Sequence, residues 1–175
     1  MKVKRLVILS FFTLGFLLNG CQEEDVFNYF NIDEVSGLKL NDIVGNSMSN
    51  AGDPNEYCPD ILCYPVPCID YVILSITQPV KRVWVIRGQL SYNNHQFQVK
   101  EMDRQQVVQI LDHKKIYSFE VGSGSIHSIN VDLSEYKPGL FRIFCQMKNG
   151  DIQWVNACKI DPNEINSFEA LMSVW

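Results

Sequence analysis

The sequence predicts a mainly β domain, built as an antiparallel β-sandwich with a short α-helix at its C-terminus. Short segments rich in Val, Ile and Tyr recur between residues 69 and 160, and Asn, Gly and Pro residues separate them. This spacing is typical of antiparallel sandwiches. Asn149-Gly150 lies between two of these segments and is a strong hairpin signal. Apolar residues at helical spacing after residue 161 predict the terminal helix.

The N-terminal segment has the layout of a secretory signal. Met1–Arg5 is basic, and an almost unbroken apolar run of 13 residues extends from Leu6 to Leu18. A helix needs about 20 apolar residues to span a bilayer, so this run is too short for a membrane anchor. A basic start, a short apolar run and a small residue behind it predict a cleaved signal peptide over residues 1–20.

The end of this segment, Leu18-Asn19-Gly20-Cys21, resembles the lipobox of bacterial lipoproteins. The resemblance implies that residues 1–20 are a lipoprotein signal helix and that Cys21 becomes the lipidated first residue, which anchors the protein to the membrane. The acidic residues Glu23, Glu24 and Asp25 resemble the surface-export signal of Bacteroidetes lipoproteins. We therefore expect an outer membrane lipoprotein exposed at the cell surface, with residues 21–33 as an acidic tether.

Composition restricts the class of partner. Cleavage after Gly20 removes three of the 15 basic residues and none of the 20 acidic ones, which leaves 155 residues with a net charge of −8. This length suits one domain and a tether. An acidic protein is a poor partner for nucleic acid, so no nucleic-acid binding is expected. The hydrophobic fraction of 46% is ordinary for a folded domain.

The predicted domain covers residues 34–175. It begins with an edge strand between Glu34 and Val44, followed by a long loop over residues 45–67, which is rich in Asn, Gly, Pro and Ser. Strands are predicted at residues 69–77, 81–90, 96–100, 115–121, 125–133, 139–147 and 152–160. Residues 104–111 fit either a helix that opens at Asp103 or a strand, and the pattern leaves both open.

The C-terminal helix is predicted over residues 162–173. Asp161 suits the N-cap and Pro162 the first helical position, with Glu164 in the first turn. Ile165, Phe168, Leu171, Met172 and Trp175 then form an apolar stripe. Several strands are apolar on both faces, so we expect this helix to cover the outer face of one sheet.

A second resemblance concerns the fold. The segment Leu133–Phe141 and the hairpin after it resemble the last third of small Ig-like domains in Bacteroidetes secreted proteins and uncharacterised lipoprotein families. The resemblance covers residues 69–160 and implies an Ig-like β-sandwich. The Ig-like domains of this group include C-terminal sorting domains. Those domains end at their last strand, whereas this chain continues beyond the strand predicted at residues 152–160. A sorting role is therefore not expected.

Five cysteines follow Cys21, and disulfides form outside the cytoplasm. Cys58, Cys63 and Cys68 do not have the spacing of zinc ligands, so no metal is expected. A two-residue turn at Asn149-Gly150 predicts that Cys145 lies opposite Trp154 and Cys158 opposite Phe141. These cysteines would be about 13 Å apart, and a disulfide requires Cα atoms within about 7 Å.

Cys145 and Cys158 therefore cannot bond to each other. Strand polarity in an Ig-like sandwich places Cys158 at the same end as Cys68. We predict a disulfide from Cys158 to Cys68 or Cys63, a second bond between the other two loop cysteines, and a buried free thiol at Cys145.

No catalytic signature is present. The sequence lacks a nucleophile elbow, a phosphate-binding loop and paired histidines, so no catalytic residues and no cofactor are expected. His95, His113 and His127 are expected at the surface. Tyr57, Tyr64 and Tyr92 are candidate binding residues, because exposed aromatic residues recognise sugars and proteins.

The sequence thus predicts a non-catalytic module that binds a glycan or a protein through the loop at residues 45–67. A structural or assembly subunit of the envelope, which would use its sheet edges, is one alternative. A small hydrolase is another.

Overall fold

The computed structural model describes residues 32–92, 103–122 and 127–163, together with Glu169 and Ser173. They belong to one compact unit, Ile32–Trp175. The strands in these residues are β1 (Glu34–Val35), β2 (Gly37–Asn41), β3 (Ser47–Gly52), β4 (Ile61–Tyr64), β5 (Tyr71–Ile76), β6 (Val80–Arg87), β7 (Gln89–Leu90), β8 (Lys115–Glu120), β9 (Ser128–Asp132), β10 (Gly139–Met147) and β11 (Ile152–Lys159). The helix is α1 (Arg104–Lys114).

Several predictions lie outside the described residues. They are the signal peptide 1–20, the lipidated Cys21, the tether up to residue 31, the strand at 96–100 and most of the C-terminal helix 162–173. At the start of that helix, the Asp161 carboxylate accepts a hydrogen bond from the Asn163 N–H at 2.8 Å. Near its end, the Ser173 N–H donates to the Glu169 carbonyl at 2.9 Å.

The strands form mainly antiparallel sheets, as predicted. A four-stranded sheet has the order β11-β10-β6-β8, and a three-stranded sheet has the order β4-β5-β9. β2 and β3 form a separate antiparallel hairpin, and β1 pairs in parallel with β7. The mainly β prediction is confirmed at this level.

One hydrophobic core contains residues from both larger sheets. Because side chains alternate along a strand, every second residue enters it. The four-stranded sheet contributes Val83, Val85, Ile143 and Cys145, and the three-stranded sheet contributes Val72, Leu74, Ile129 and Val131. Burying each such aliphatic side chain stabilises the fold by about 1.5–3 kcal/mol.

The other face of the four-stranded sheet is also buried. Trp84 and Phe144 lie opposite each other on this face and are inaccessible to solvent. Helix α1 packs here through Val107, Ile110 and Leu111, and the Trp84 indole N–H donates to Asp112 Oδ1 at 3.0 Å. Residues 104–111 are thus helical. Helix α1 covers this face of the four-stranded sheet, a role that the sequence predicted only for the C-terminal helix.

Helix α1 begins where the sequence suggested, since the Asp103 side chain accepts a hydrogen bond from the Gln105 N–H at 3.0 Å. In the part of the chain that the structure describes, no helix is long and apolar enough to cross a membrane.

The β10–β11 hairpin differs from the predicted register by one residue. Met147 N donates to Asp151 O at 2.8 Å, so the loop has three residues, and Gly150 adopts a φ of 92°. Hairpins of this length place glycine at the left-handed position. Cys145 consequently lies opposite Gln153 and Cys158 opposite Leu140, which corrects the pairing predicted from a two-residue turn.

The prediction of a loop over residues 45–67 is wrong, because this segment contains β3 and β4. The first four residues of β3 are exposed, so this strand has polar residues on both faces and looks like a loop in the sequence. An isolated bridge between Asn41 and Val66 joins the hairpin to the chain after β4.

The start of the described chain is held by several side chains. The Ile32 carbonyl accepts a hydrogen bond from Arg142 at 3.1 Å. Asp33 forms an ion pair with Lys114 at 3.0 Å, and its other carboxylate oxygen accepts from the Gln89 side chain at 3.0 Å. These contacts fix residues 32 and 33 immediately before the parallel β1–β7 pair.

Candidate binding surface

The tip of the β2–β3 hairpin presents two apolar side chains to solvent. Ile43 is 77% exposed and Val44 is 70% exposed. Asp42 organises this turn, because its Oδ1 accepts from the N–H groups of Val44 and Asn46 at 2.9 and 2.8 Å. The Asn46 side chain donates to Asp42 Oδ2 at 2.8 Å. The turn therefore holds Ile43 and Val44 outward in a defined geometry.

The tip lies against the outer face of the three-stranded sheet. Gly45 has a φ of 87°, and a Cβ atom there would be 3.1 Å from Leu62 Cδ2 and 3.2 Å from Tyr64 Cδ1. Glycine suits both this backbone conformation and this close approach. The apolar side chains of the tip and those of β4 therefore belong to one continuous surface.

Exposed and half-buried apolar residues extend across the sheet. Tyr64 lies opposite Ile73 of β5, and Tyr71 lies two residues earlier on the same face. We call this set the apolar surface: Ile43, Val44, Leu62, Tyr64, Tyr71 and Ile73.

Strand β9 provides a polar border. Asn130 lies opposite Ile73 and Asp132 lies opposite Tyr71, and both are exposed. An apolar centre beside a polar rim is the arrangement found in protein interfaces.

The two carboxylates beside the apolar surface are ionised at neutral pH. Hydrogen bonds from the side chain and backbone of Asn46 hold the pKa of Asp42 below its ordinary value. Hydrogen bonds from Ser134 similarly lower the pKa of Asp132. The border of the surface is therefore negatively charged.

The three predicted tyrosines lie on separate elements. Tyr64 belongs to the apolar surface. Tyr57 packs on Trp154 with ring centroids 5.4 Å apart, and the two residues exchange backbone hydrogen bonds. Tyr92 is exposed beyond the end of β7. Within the described residues, no ring contact joins any two of these tyrosines.

Ile43 and Val44 are not among the predicted binding residues, because the sequence pattern places them at the end of an edge strand. The available signal was the polar turn chemistry around them, since Asp42, Gly45 and Asn46 favour tight turns.

The five cysteines are unpaired, so the predicted disulfides are absent from the structure. Cys68 does lie beside Cys158, because its N–H donates to the Cys158 carbonyl at 2.8 Å. The residue directly opposite Cys68, however, is Lys159. Cys68 and Cys158 are therefore neighbours on adjacent segments, and both thiols are free.

A buried polar cluster at Arg142 was also missed. Arg142 is fully buried, with Nε donating to Asn156 Oδ1 at 2.9 Å and Nη2 donating to the carbonyl and side-chain oxygens of Asn55. Burial lowers the pKa of Arg142 to about 10, so the guanidinium remains charged at neutral pH. The only sequence feature that indicates this cluster is a charged residue inside an apolar strand, in Phe141-Arg142-Ile143.

Asn55 completes this cluster. Its carbonyl accepts from the Trp154 indole at 2.8 Å, and its side chain accepts from Ser36 N at 3.2 Å and donates to the Glu34 carbonyl at 2.9 Å. The Arg142 guanidinium therefore connects the four-stranded sheet to Asn55 and to the start of the described chain. We assign this cluster a structural role.

Among the described residues, no group of three or more His, Cys, Asp or Glu side chains could hold a metal ion. His113 and His127 are exposed, and His95 lies outside the described residues.

Comparison with protein-family models, with curated proteins and with solved structures finds no match for this chain.

Proposed function

We propose that this chain is a non-catalytic, lipid-anchored protein of the outer cell envelope that binds another protein through its apolar surface. The observation that carries the binding role is the hairpin tip, where hydrogen bonds to Asp42 hold Ile43 and Val44 in solvent. Exposed apolar side chains in a fixed geometry gain free energy when a partner covers them and lose little conformational entropy.

The composition of the exposed residues favours a protein over a glycan. Among the eight large hydrophobic residues exposed in the described chain, five are aliphatic or Met: Ile43, Val44, Met48, Leu62 and Ile69. Sugars are bound mainly by stacking on aromatic rings, whereas aliphatic side chains and Met suit the apolar centre of a protein interface.

We further propose that the domain is an Ig-like sandwich. Its strand order supports this assignment, because β4-β5-β9 and β11-β10-β6-β8 correspond to the A-B-E and G-F-C-C′ sheets of Ig-like domains. Tyr136 lies just before β10, near the position of the tyrosine corner in that fold.

Photocrosslinking in cells tests the binding role. A photoreactive amino acid at Ile43 or Val44 should give a discrete crosslinked product, because these side chains would lie inside the interface. The matched control carries the same group at Glu135, which is exposed in the β9–β10 connection, and should give none. Immunoblotting against the protein measures both.

The outcomes separate the alternatives. Loss of the Ile43 product in Val44→Ser, and of the Val44 product in Ile43→Ser, supports the protein partner. A product at Glu135 that equals those at Ile43 and Val44 contradicts it. Binding of the purified protein to an immobilised envelope polysaccharide, with loss in Tyr71→Ala and not in Ile43→Ser, would instead favour the glycan alternative.

Lipidation has a separate test. Cys21→Ala should abolish labelling by a fatty-acid analogue and leave an unprocessed or soluble protein, because the acyl chains would be attached to this residue. The matched control is Cys58→Ala, which should keep the label. Equal labelling of the wild type and Cys21→Ala would contradict the lipoprotein assignment.

A further inference from the structure

Cys58 differs from the other four cysteines of the domain. Cys63, Cys68, Cys145 and Cys158 are buried, whereas Cys58 is half-buried. Burial raises the pKa of Cys68, Cys145 and Cys158 to about 12 and the pKa of Cys63 well above its ordinary value. A buried thiol with such a pKa is protected from reagents in the surrounding solution.

Two charged groups lie beside the Cys58 sulfur. Lys39 Nζ donates to Cys58 Sγ at 3.4 Å, and Cys58 Sγ donates to Glu56 Oε2 at 3.7 Å. Lys39 and Glu56 also form an ion pair at 3.2 Å. A thiol between a cation and a carboxylate has a partner for its thiolate and an acceptor for its proton.

The carboxylate is held in place from the protein side. The Glu56 side chain is only 3% exposed, and its Oε1 accepts from the Asn156 N–H at 2.9 Å. Oε2 is thereby directed toward Lys39 and Cys58. The Lys39 side chain is 46% exposed, which places the cluster at the protein surface.

We propose that Cys58 is a thiol–disulfide exchange site at which the protein takes up a small thiol group from a low-molecular-weight disulfide. The Cys58 proton leaves along its hydrogen bond to Glu56, and the thiolate pairs with the Lys39 ammonium. The thiolate attacks one sulfur of the small disulfide, whose S–S bond breaks as the new bond to Cys58 forms. The other half leaves as a thiolate and takes up a proton, so the small disulfide is the oxidant and Cys58 is oxidised to a mixed disulfide.

The cluster also sets the pH dependence. Burial and the Glu56 carboxylate raise the pKa of the Cys58 thiol above its ordinary value, and Lys39 offsets only part of this. The thiol is therefore mainly protonated at neutral pH, and exchange should accelerate as the pH rises through the alkaline range. This behaviour is independent of the proposed protein partner.

Dipyridyl disulfide is a suitable probe, with the full-length protein kept folded and peptide mapping used to locate each adduct. Cys58 should react at least about tenfold faster than any of the four buried thiols, because exposure controls access. Cys58→Ser should lose this fast reaction. Equal rates at Cys58 and at a buried cysteine in the folded protein would overturn the proposal.

Lys39 variants test the cluster, and their melting temperatures verify that they fold. Lys39→Gln should slow the reaction about three- to tenfold and move the midpoint of the rate–pH profile upward, since the thiolate loses its cation. The matched control Lys39→Arg should keep both close to wild type. An unchanged rate and midpoint in Lys39→Gln would contradict the assigned role of Lys39.

Discussion

Replacing Arg142 with methionine is expected to lower the free energy of unfolding by about 2–4 kcal/mol. Methionine retains much of the side-chain volume but removes the donors to Ile32, Asn55 and Asn156. Asn55 keeps other donors, including the Trp154 indole. The loss should therefore come mainly from the Ile32 carbonyl and the Asn156 side-chain oxygen.

Arg87→Met is the matched control, because Arg87 is an exposed arginine on the neighbouring strand β6 and lies opposite Phe141. Its donors contact the Lys137 and Pro138 carbonyls at the surface, so its loss should cost at most about 1 kcal/mol. Equilibrium unfolding in urea, followed by tryptophan fluorescence, measures both variants. Equal destabilisation by the two substitutions would contradict the role assigned to Arg142.

Replacing Trp84 with alanine should have the larger effect, about 3–5 kcal/mol, against a typical total stability of about 5–15 kcal/mol. Trp84 is fully buried between the four-stranded sheet and α1, and its removal leaves a cavity. The side chain also supports Arg82, whose guanidinium lies 4.8 Å from the indole centroid. We expect α1 to lose its attachment before the sheets unfold.

Trp84→Phe separates packing from hydrogen bonding. It keeps an aromatic ring but removes the donor to Asp112, which retains its ion pairs with Arg82 and Lys115. The expected loss is about 1–2 kcal/mol. Amide hydrogen exchange across residues 104–114 measures the attachment of α1. Protection of these amides in Trp84→Ala equal to that in the wild type would show that other contacts hold the helix.

The strands of the central sheet were predictable because their sequences are apolar and bounded by turn residues. Residues 139–147 were predicted as a strand and form β10, and the segment predicted at 152–160 contains β11. The hairpin register was not predictable from Asn149-Gly150 alone, because the same pair occurs in two-residue and three-residue loops. A difference of one residue reverses the face on which each side chain lies.

Strand β2 lies within the edge strand predicted between Glu34 and Val44, but its partner β3 and the short strand β4 could not be recognised in the sequence. Alternation of polar and apolar residues appears only where one face of a strand is buried, and the first four residues of β3 are all exposed. The sequence left helix and strand open for residues 104–111 for a related reason. The buried residues of this helix are Val107, Ile110 and Leu111, and three apolar positions are too few to define a period.

The candidate site was predictable only in part. Tyr64 could be identified as a candidate binding residue, but its place beside Gly45 depends on how the hairpin folds back onto β4. The Lys39–Glu56–Cys58 cluster joins residues 17 and 19 positions apart in sequence, and no local motif marks such a contact.

The fixed start of the described chain would have a mechanical consequence under the proposed lipid anchor. A pull on the tether would reach the domain at Ile32 and would act first on the bonds of residues 32 and 33 with Arg142, Lys114 and Gln89. Behind them, β1 and β7 run parallel, so the load would shear their hydrogen bonds together rather than unzip them one at a time. The β1–β7 pair would therefore resist a pull on Ile32 more strongly than a strand pair of the same length that is unzipped.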